Sequence, residues 1–353
     1  MTITMQELAD YCGVTKMTVS RALRSSGSVK IDTREQILEA ARYFNYVPRF
    51  VSPGRIGGKI YNIVYFTFDP ESDQRLSEEL LVRHLGGCFN AAKQHNCNLS
   101  ICYFNEKQTY DEIEENLFSH ACSGIFFSTN FPSDIKLNFI PEDFIKAAGK
   151  RGIPCVTVNA SSPILCGNTV LKDDIYGAYI ATKYLLESGH RRIAFITREP
   201  VNYRGYEERF RGYRQALEEF NIGFAPELCV KAAGFGMIID CFDAIDALLA
   251  LEESPTAIVA VNDLTAIETM KVLGQRNIKI PEDISIIGYD NIGESKFTNP
   301  KLTSVNTRIP DVQTRAIQLL VELIEKGSKH TEFQHVKIEP LLVIRDSTSI
   351  LKR

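Results

Sequence analysis

From Ile60 onward, short β-rich apolar runs alternate with longer stretches of helical periodicity, and this alternation restricts the fold more than any other feature. The first set of runs is Ile63 to Phe68, Leu99 to Phe104, Gly124 to Ser128 and Pro154 to Val158. Parallel strands need a crossover of about a dozen residues or more, and a helix is the usual one. The pattern therefore predicts parallel βαβ units. It then recurs with Arg192 to Thr197, Leu228 to Val230, Ala257 to Val261 and Ile284 to Tyr289. Two similar α/β lobes are expected, the first over 61–160 and 291–325, the second over 163–289 and 328–345. The 353 residues suffice for two or three domains with cores of their own.

The segment ahead of these lobes has a different character. Thr4 with Glu7 three residues later forms a capping box, so a helix is expected from Met5, with Met5, Leu8 and Ala9 facing inward. Gly13 stops it. Thr15 can cap a second helix whose Val19, Ala22 and Leu23 face a core, leaving Lys16, Met17, Thr18, Ser20 and Arg21 exposed. Ile37, Leu38 and Ala41 then give a third helix over 33–44. Two short amphipathic helices joined at a glycine form any helical hairpin, but the exposed face narrows the choice. From Lys16 to Arg24 there is no Asp or Glu, where a merely solvated face mixes both signs. Hydroxyls and cations in that arrangement suit phosphates and base edges.

Charge follows the same division. Residues 1–60 carry nine Lys/Arg against five Asp/Glu, a net of +4, so in a chain of net −4 the remainder carries −8. A basic head on an acidic body suits contact with DNA at one end only. No apolar run reaches membrane-spanning length and the N-terminus lacks a basic-then-apolar leader pattern, so no membrane is expected and the cytoplasm is the expected location. The nine cysteines (Cys12, Cys88, Cys97, Cys102, Cys122, Cys155, Cys166, Cys229, Cys241) are odd in number and contain no CxxC pair. They read as small core fillers rather than a disulfide framework, zinc site or redox pair. No metal or cofactor is expected.

The run from Thr4 through Glu7-Leu8-Ala9, Gly13-Val14-Thr15 and Thr18-Val19-Ser20-Arg21 to Leu23 resembles the DNA-binding headpiece of the lactose/galactose-repressor family of bacterial regulators. The resemblance implies that Lys16, Met17 and Arg21 read bases in the major groove and that Thr15, Thr18 and Ser20 grip phosphates. Thr4 and Arg24 complete the expected DNA-facing set. It further implies a linker that folds into a short helix on DNA. This chain departs from that pattern, with Arg49 and Arg55 at positions where the family has Asn and Leu, and with Pro53, Gly54, Gly57 and Gly58 disfavouring a helix. Residues 1–47 are thus expected to be the head and 48–60 a flexible tether. Ile56 is left as an alternative minor-groove wedge, and Lys30 stands where the family has a capping Ser.

The body resembles the periplasmic-sugar-binding-protein fold carried by the same family. The resemblance rests on Asp173-Asp-Ile-Tyr-Gly177 leading to Gly189-His-Arg-Arg-Ile-Ala194, on Arg209-Phe-Arg-Gly212, on Ala260-Val-Asn262-Asp263, on Ile280-Pro through Gly288-Tyr-Asp290, and on Arg345-Asp-Ser347-Thr348. Several of these residues fall at the carboxyl ends of expected strands, where open α/β sheets bind ligands. A guanidinium donates and a carboxylate accepts, so together they hold hydroxyls in fixed directions. The resemblance implies effector contacts from Arg209, Asn262 and Asp290, with Phe235 packing on a ligand ring and Asp173 lining the cleft. Plain core packing for Phe235, a helix cap for Asp263 and a surface salt bridge from Arg209 to Glu207 or Glu208 are the alternatives. The family's Asn-Pro-Phe-Phe after the first strand is absent, so Ser72, Asp73 and Arg75 read as solvated loop or as ligand contacts.

The sequence holds no GxSxG, HExxH, Walker A loop or GxGxxG, and His84, His95, His120, His190, His330 and His335 are scattered singly. His190 reads as structural, and no enzyme is expected. The expected fold is α/β, a helix-turn-helix three-helix head on a two-lobed periplasmic-binding-protein-like core of parallel βαβ units. The expected function is DNA-binding transcriptional regulation, with repression as the expected direction, controlled by a small carbohydrate-like effector. The expected partners are a palindromic double-stranded operator and a second copy of the chain, with a tetramer as the further alternative. The rival reading is a sugar-binding or sugar-processing protein with an incidental helical head.

Overall fold

The computed structural model describes residues 5–23, 33, 36–37, 40–41, 60–69, 78–118, 122–128, 141–158, 167–198, 204–234, 238–327 and 332–351. The chain divides into two compact units, Met1–Gly58 and Lys59–Arg353.

In the first unit, α1 (Met5–Tyr11) and α2 (Lys16–Leu23) are joined by a turn in which Gly13 takes φ +64°. That left-handed conformation is the one glycine adopts without strain past a helix C-terminus. Thr15 Oγ1 accepts from the Thr18 amide at 3.2 Å, the N-cap expected from the sequence. Leu8, Ala9, Cys12, Val19 and Ala22 pack with Ile37, Ala40 and Ala41 of a third helical stretch in one small core. The linker lies outside the described residues.

The second unit contains two six-stranded sheets of the same design. The first sheet is built from β1 (Tyr61–Phe68), β2 (Cys97–Phe104), β3 (Gly124–Ser128), β4 (Cys155–Val158), β5 (Asn168–Lys172) and β11 (His335–Ile338), in the order β11-β5-β4-β3-β1-β2. The second is built from β6 (Ile193–Arg198), β7 (Cys229–Ala232), β8 (Ala257–Ala260), β9 (Ser285–Tyr289), β10 (Thr303–Asn306) and β12 (Leu341–Val343), in the order β12-β10-β9-β8-β6-β7. All pairings are parallel except β10 with β12. Each sheet thus starts a second strand on one side of its first and continues on the other, and the crevice at that reversal opens at the carboxyl ends of the strands.

Helices cover both faces, as buried parallel strands require. On the first sheet, α3 (Glu78–Gln94) and α10 (Ile309–Lys326) share one core, while α4 (Tyr110–Phe118) and α5 (Pro141–Lys150) share the other. On the second, α6 (Asp174–Glu187) and α7 (Arg204–Glu219) lie on one face, and α8 (Phe242–Leu249) and α9 (Asp263–Gln275) on the other. A Cβ at Gly212 of α7 would lie 2.0 Å from the Ile175 carbonyl oxygen, so the absence of a side chain there lets α6 and α7 touch backbone to backbone.

The chain changes lobes after Lys172, after Asn306 and after Ile338, and not near 160, 290 and 327 as the alternation of apolar runs predicts. Each lobe keeps one more strand before the crossing. Asn168–Lys172 joins β4 in the first sheet and Thr303–Asn306 joins β9 in the second. Beyond them α10 packs on the first lobe, burying Val312, Ala316, Ile317 and Leu320.

Candidate functional site

The lobe crossing after Lys172 and the carboxyl ends of β5, β8 and β9 bring one cluster of ionisable side chains together in the core. At its centre is Arg209, 3% exposed, on α7. Its Nε donates to Asp174 Oδ1 at 3.1 Å, its Nη1 to the Val261 carbonyl at 2.6 Å and its Nη2 to Asp290 Oδ1 at 3.1 Å. The guanidinium also stacks 3.8 Å above the Tyr289 ring, a cation–π contact in a desolvated setting. Burial works against its charge, but Asp290 and Asp174 hold its pKa well above the ordinary value. The sequence's alternative of a surface pair with Glu207 or Glu208 is replaced by this buried arrangement.

Asp174 was not singled out in the sequence, and it is the deepest acid of the cluster at 1% exposed. Its Oδ2 lies 3.2 Å from Lys172 Nζ, at the end of β5 on the other lobe. Burial pushes this carboxyl up, and Lys172 and Arg209 outweigh it, so its pKa falls below the ordinary value. Asp173, expected to line the cleft, instead caps α6. Its Oδ1 accepts from the Tyr176 amide at 3.1 Å and its Oδ2 from Lys337 Nζ at 3.0 Å. Glu208, beside the cluster, is pushed up to about 7 by burial and then by Asp174.

Asp290 and Asn291 follow β9 with φ of 95° and 50°, a left-handed pair that Asp and Asn tolerate better than other side chains. The turn is fixed by its own amides, Asp290 N–H to the Val305 carbonyl at 2.9 Å and Asn291 N–H to Ser304 Oγ at 3.0 Å. Arg83 of α3, on the first lobe, donates to both carbonyls, Asp290 at 3.2 Å and Asn291 at 2.6 Å. The effector candidate Asp290 therefore sits on a turn held from both lobes.

Asn262 is the N-cap of α9, its Oδ1 accepting from the Thr265 amide at 2.9 Å and its Nδ2 donating to Tyr206 Oη at 3.2 Å. This corrects the cap reading of Asp263 by one residue. Asp263 is fully buried and ties α9 to the segment after β9, accepting from the Ile292 amide at 2.8 Å, Ser295 Oγ at 2.5 Å and Ser304 Oγ at 2.6 Å. His84 of α3 pairs with Gln313 of α10 at 2.8 Å, and burial, then Lys172 and Arg83, lower its pKa to about 4. His190 is structural as expected, 1% exposed and hydrogen-bonded to Thr256 and to the Ser349 carbonyl.

Of the expected effector residues, Arg209, Asn262 and Asp290 converge, Asp173 caps a neighbouring helix, and Phe235 lies outside the described residues, as do Ser72, Asp73 and Arg75. On the head, Thr15, Lys16 and Met17 are exposed, Met17 at 62%, and Thr18 is half-buried. Ser20 and Arg21 lie on α2, but their side chains are outside the described residues, and so are Thr4 and Arg24. Burial raises the thiols of Cys97, Cys102, Cys229 and Cys241 to about 11, consistent with packing rather than reactivity. Among the described residues no group of three or more His, Cys, Asp or Glu is placed to hold a metal, and no helix is long and apolar enough to cross a membrane.

Residues 4–49 match the family of bacterial regulatory proteins, lacI family, and residues 182–348 match the periplasmic binding protein-like domain. The HTH-type transcriptional repressor PurR of Histophilus somni (strain 2336) is 28% identical over 353 residues, which cover 99% of each chain. The probable HTH-type transcriptional repressor ExuR of Bacillus subtilis (strain 168) is 29% identical over 340 residues, covering 94% of this chain and 96% of its own. Among solved structures, a transcriptional regulator CelR–cellobiose complex shares the fold with a TM-score of 0.64 at 23% identity, covering 98% of this chain and 99% of that one.

Proposed function

Since this chain belongs to the LacI family of bacterial regulatory proteins and carries a periplasmic-binding-protein-like core, we propose that it is a homodimeric transcriptional repressor whose operator affinity is set by a small carbohydrate-like effector held between the core lobes. The observation that carries the effector half is the convergence of Arg209, Asp290 and Asn262 at the carboxyl ends of the second sheet, where the chain passes between lobes. Fixed donors and acceptors side by side suit vicinal hydroxyls, and the CelR structure was solved with cellobiose.

The DNA half rests on the α1–turn–α2 geometry and the acid-free run Lys16 to Arg24. One small head makes too few contacts for tight specific binding, so two heads on a palindrome are required. The protein works in the cytoplasm, where the operator is. Selection from random duplexes by the full chain tests this reading. A palindromic site should be enriched, and deleting residues 1–48 should abolish its binding. Binding that survives the deletion, or no enrichment at all, supports the rival adaptor reading.

A further inference from the structure

The cluster around Arg209 is balanced in charge. Lys172 and Arg209 face Asp174 and Asp290, two cations against two carboxylates, through contacts of 3.1–3.2 Å. Every nitrogen of the Arg209 guanidinium already has an oxygen partner. Nε and Nη2 are each engaged by a different carboxylate, and Nη1 by the Val261 carbonyl. Carboxylate and phosphate ligands are held best by a guanidinium that offers a fork with two open donors. Here two of the five N–H donors are engaged by resident acids and a third by a carbonyl, so a ligand meets one remaining N–H on Nη1 and one on Nη2, beside those carboxylates. Among the described residues, the neighbouring cations are engaged elsewhere: Arg83 donates to the Asp290 and Asn291 carbonyls and Arg204 lies 3.5 Å from Glu208, while burial lowers the His84 pKa to about 4.

We propose that Asp174 is a specificity-determining residue of the cleft, which, with Lys172 as its counter-charge, balances Arg209 so that the site takes uncharged polyhydroxy ligands and rejects those bearing a carboxylate or phosphate. This rests on the reading of the cleft as a carbohydrate site. Both Asp174 oxygens are engaged, Oδ1 by Arg209 and Oδ2 by Lys172, so in this proposal it acts through Arg209. Hydroxyls add to such a cluster without changing its charge, accepting from the arginine and donating to Asp290. An anionic ligand instead brings a third negative charge close to two ionised carboxylates, and like charges at about 4–6 Å disfavour the ionised form by a pKa unit or more.

The test is calorimetry at about pH 8 against matched probes: neutral aldoses and disaccharides, the corresponding uronic acids, and the corresponding sugar phosphates. The readout is the ratio of acid to neutral affinity within each matched set. Wild type should favour the neutral member about tenfold or more. Asp174→Asn leaves the cluster with one surplus positive charge and should raise the ratio about tenfold or more. Lys172→Met leaves one surplus negative charge and should lower it, and the double variant should return the ratio to near the wild-type value. A merely structural role would weaken all ligands alike and leave the ratio unmoved.

A wild type that prefers the acid or phosphate overturns this proposal and leaves the carbohydrate reading intact. Binding of no probe at all overturns both. If Asp174→Asn does not fold, Lys172→Met decides alone, and an unchanged or raised ratio there contradicts the proposal.

Discussion

Asp290 accepts from Arg209 Nη2 at 3.1 Å through its side chain, while its backbone carbonyl accepts from Arg83 of the opposite lobe at 3.2 Å. The acid that holds the central guanidinium of the second lobe is therefore seated on a turn that the first lobe also grips. A ligand shifts a conformational equilibrium only through contacts that differ between the states. One that draws Asp290 away from Arg209 acts on a turn whose position both lobes share.

Arg209 and Asp290 should separate in mutagenesis. Arg209→Ala leaves the buried Asp174 carboxylate with Lys172 as its one cationic partner and removes the partner of the Val261 carbonyl, so it should lower stability by about 3 kcal/mol. Asp290→Asn keeps an oxygen acceptor at a side chain that is 14% exposed, and should melt close to wild type while losing most effector affinity. Denaturant titration and calorimetry on both variants check this. Equal stability losses in the two would refute the division of roles.

Asp263 should impose a pH dependence on stability. Burial is the main cause that pushes its carboxyl up to about 7 from an ordinary value of 3.8, against the pull of Ser295 and Ser304. Between about 4 and about 7 the folded state then binds more protons than the unfolded state, so this residue's contribution to stability falls as pH rises. Below the unfolded value both states are protonated and the contribution is flat. Unfolding of Asp263→Asn should show a shallower decline over that window than wild type, and identical slopes would contradict the assignment.

The strands that run as continuous apolar segments, Ile63 to Phe68 or Ile284 to Tyr289, were readable in the sequence because both faces of a central parallel strand are buried. The strands missed were short or edged with polar residues, such as Asn168–Lys172, Thr303–Asn306 and His335–Ile338, the last with alternating exposure at the rim of its sheet. Their omission shifted every lobe crossing. At the site, Arg209, Asn262 and Asp290 came from the family pattern. Asp174 did not, because in the pair Asp173-Asp174 nothing local distinguishes the acid that caps α6 from the one that goes inward. Lys172 is two residues from its partner yet belongs to the other lobe. The same ambiguity moved the cap of α9 from Asn262 to Asp263.

Gly212→Ala should be strongly destabilising. In an exposed helix the change is favourable by about 0.5–1 kcal/mol, but here the new Cβ meets the Ile175 carbonyl at 2.0 Å and the Tyr179 amide at 2.9 Å. Neither backbone can yield without moving a helix, so the net loss should be about 1–3 kcal/mol or more. Gly274→Ala, where a Cβ meets nothing within 4 Å, is the control and should be neutral or stabilising in the same denaturant titration.

On the head, Arg21→Ala should weaken operator binding by about 1–3 kcal/mol and relax preference at the base pair it faces. Binding to a library randomised one position at a time reads both effects. A uniform loss with no change in base preference would place Arg21 on phosphates instead.

The most direct test of effector control is the operator dissociation constant measured by fluorescence anisotropy, with and without saturating effector, for wild type and Asp290→Asn. Coupling between two sites is typically about 1–3 kcal/mol, or about 5- to 150-fold in affinity. Wild type should change by that factor and Asp290→Asn, at the same ligand concentration, should not. An effector that binds the wild-type core tightly and leaves its operator affinity unchanged would contradict the account.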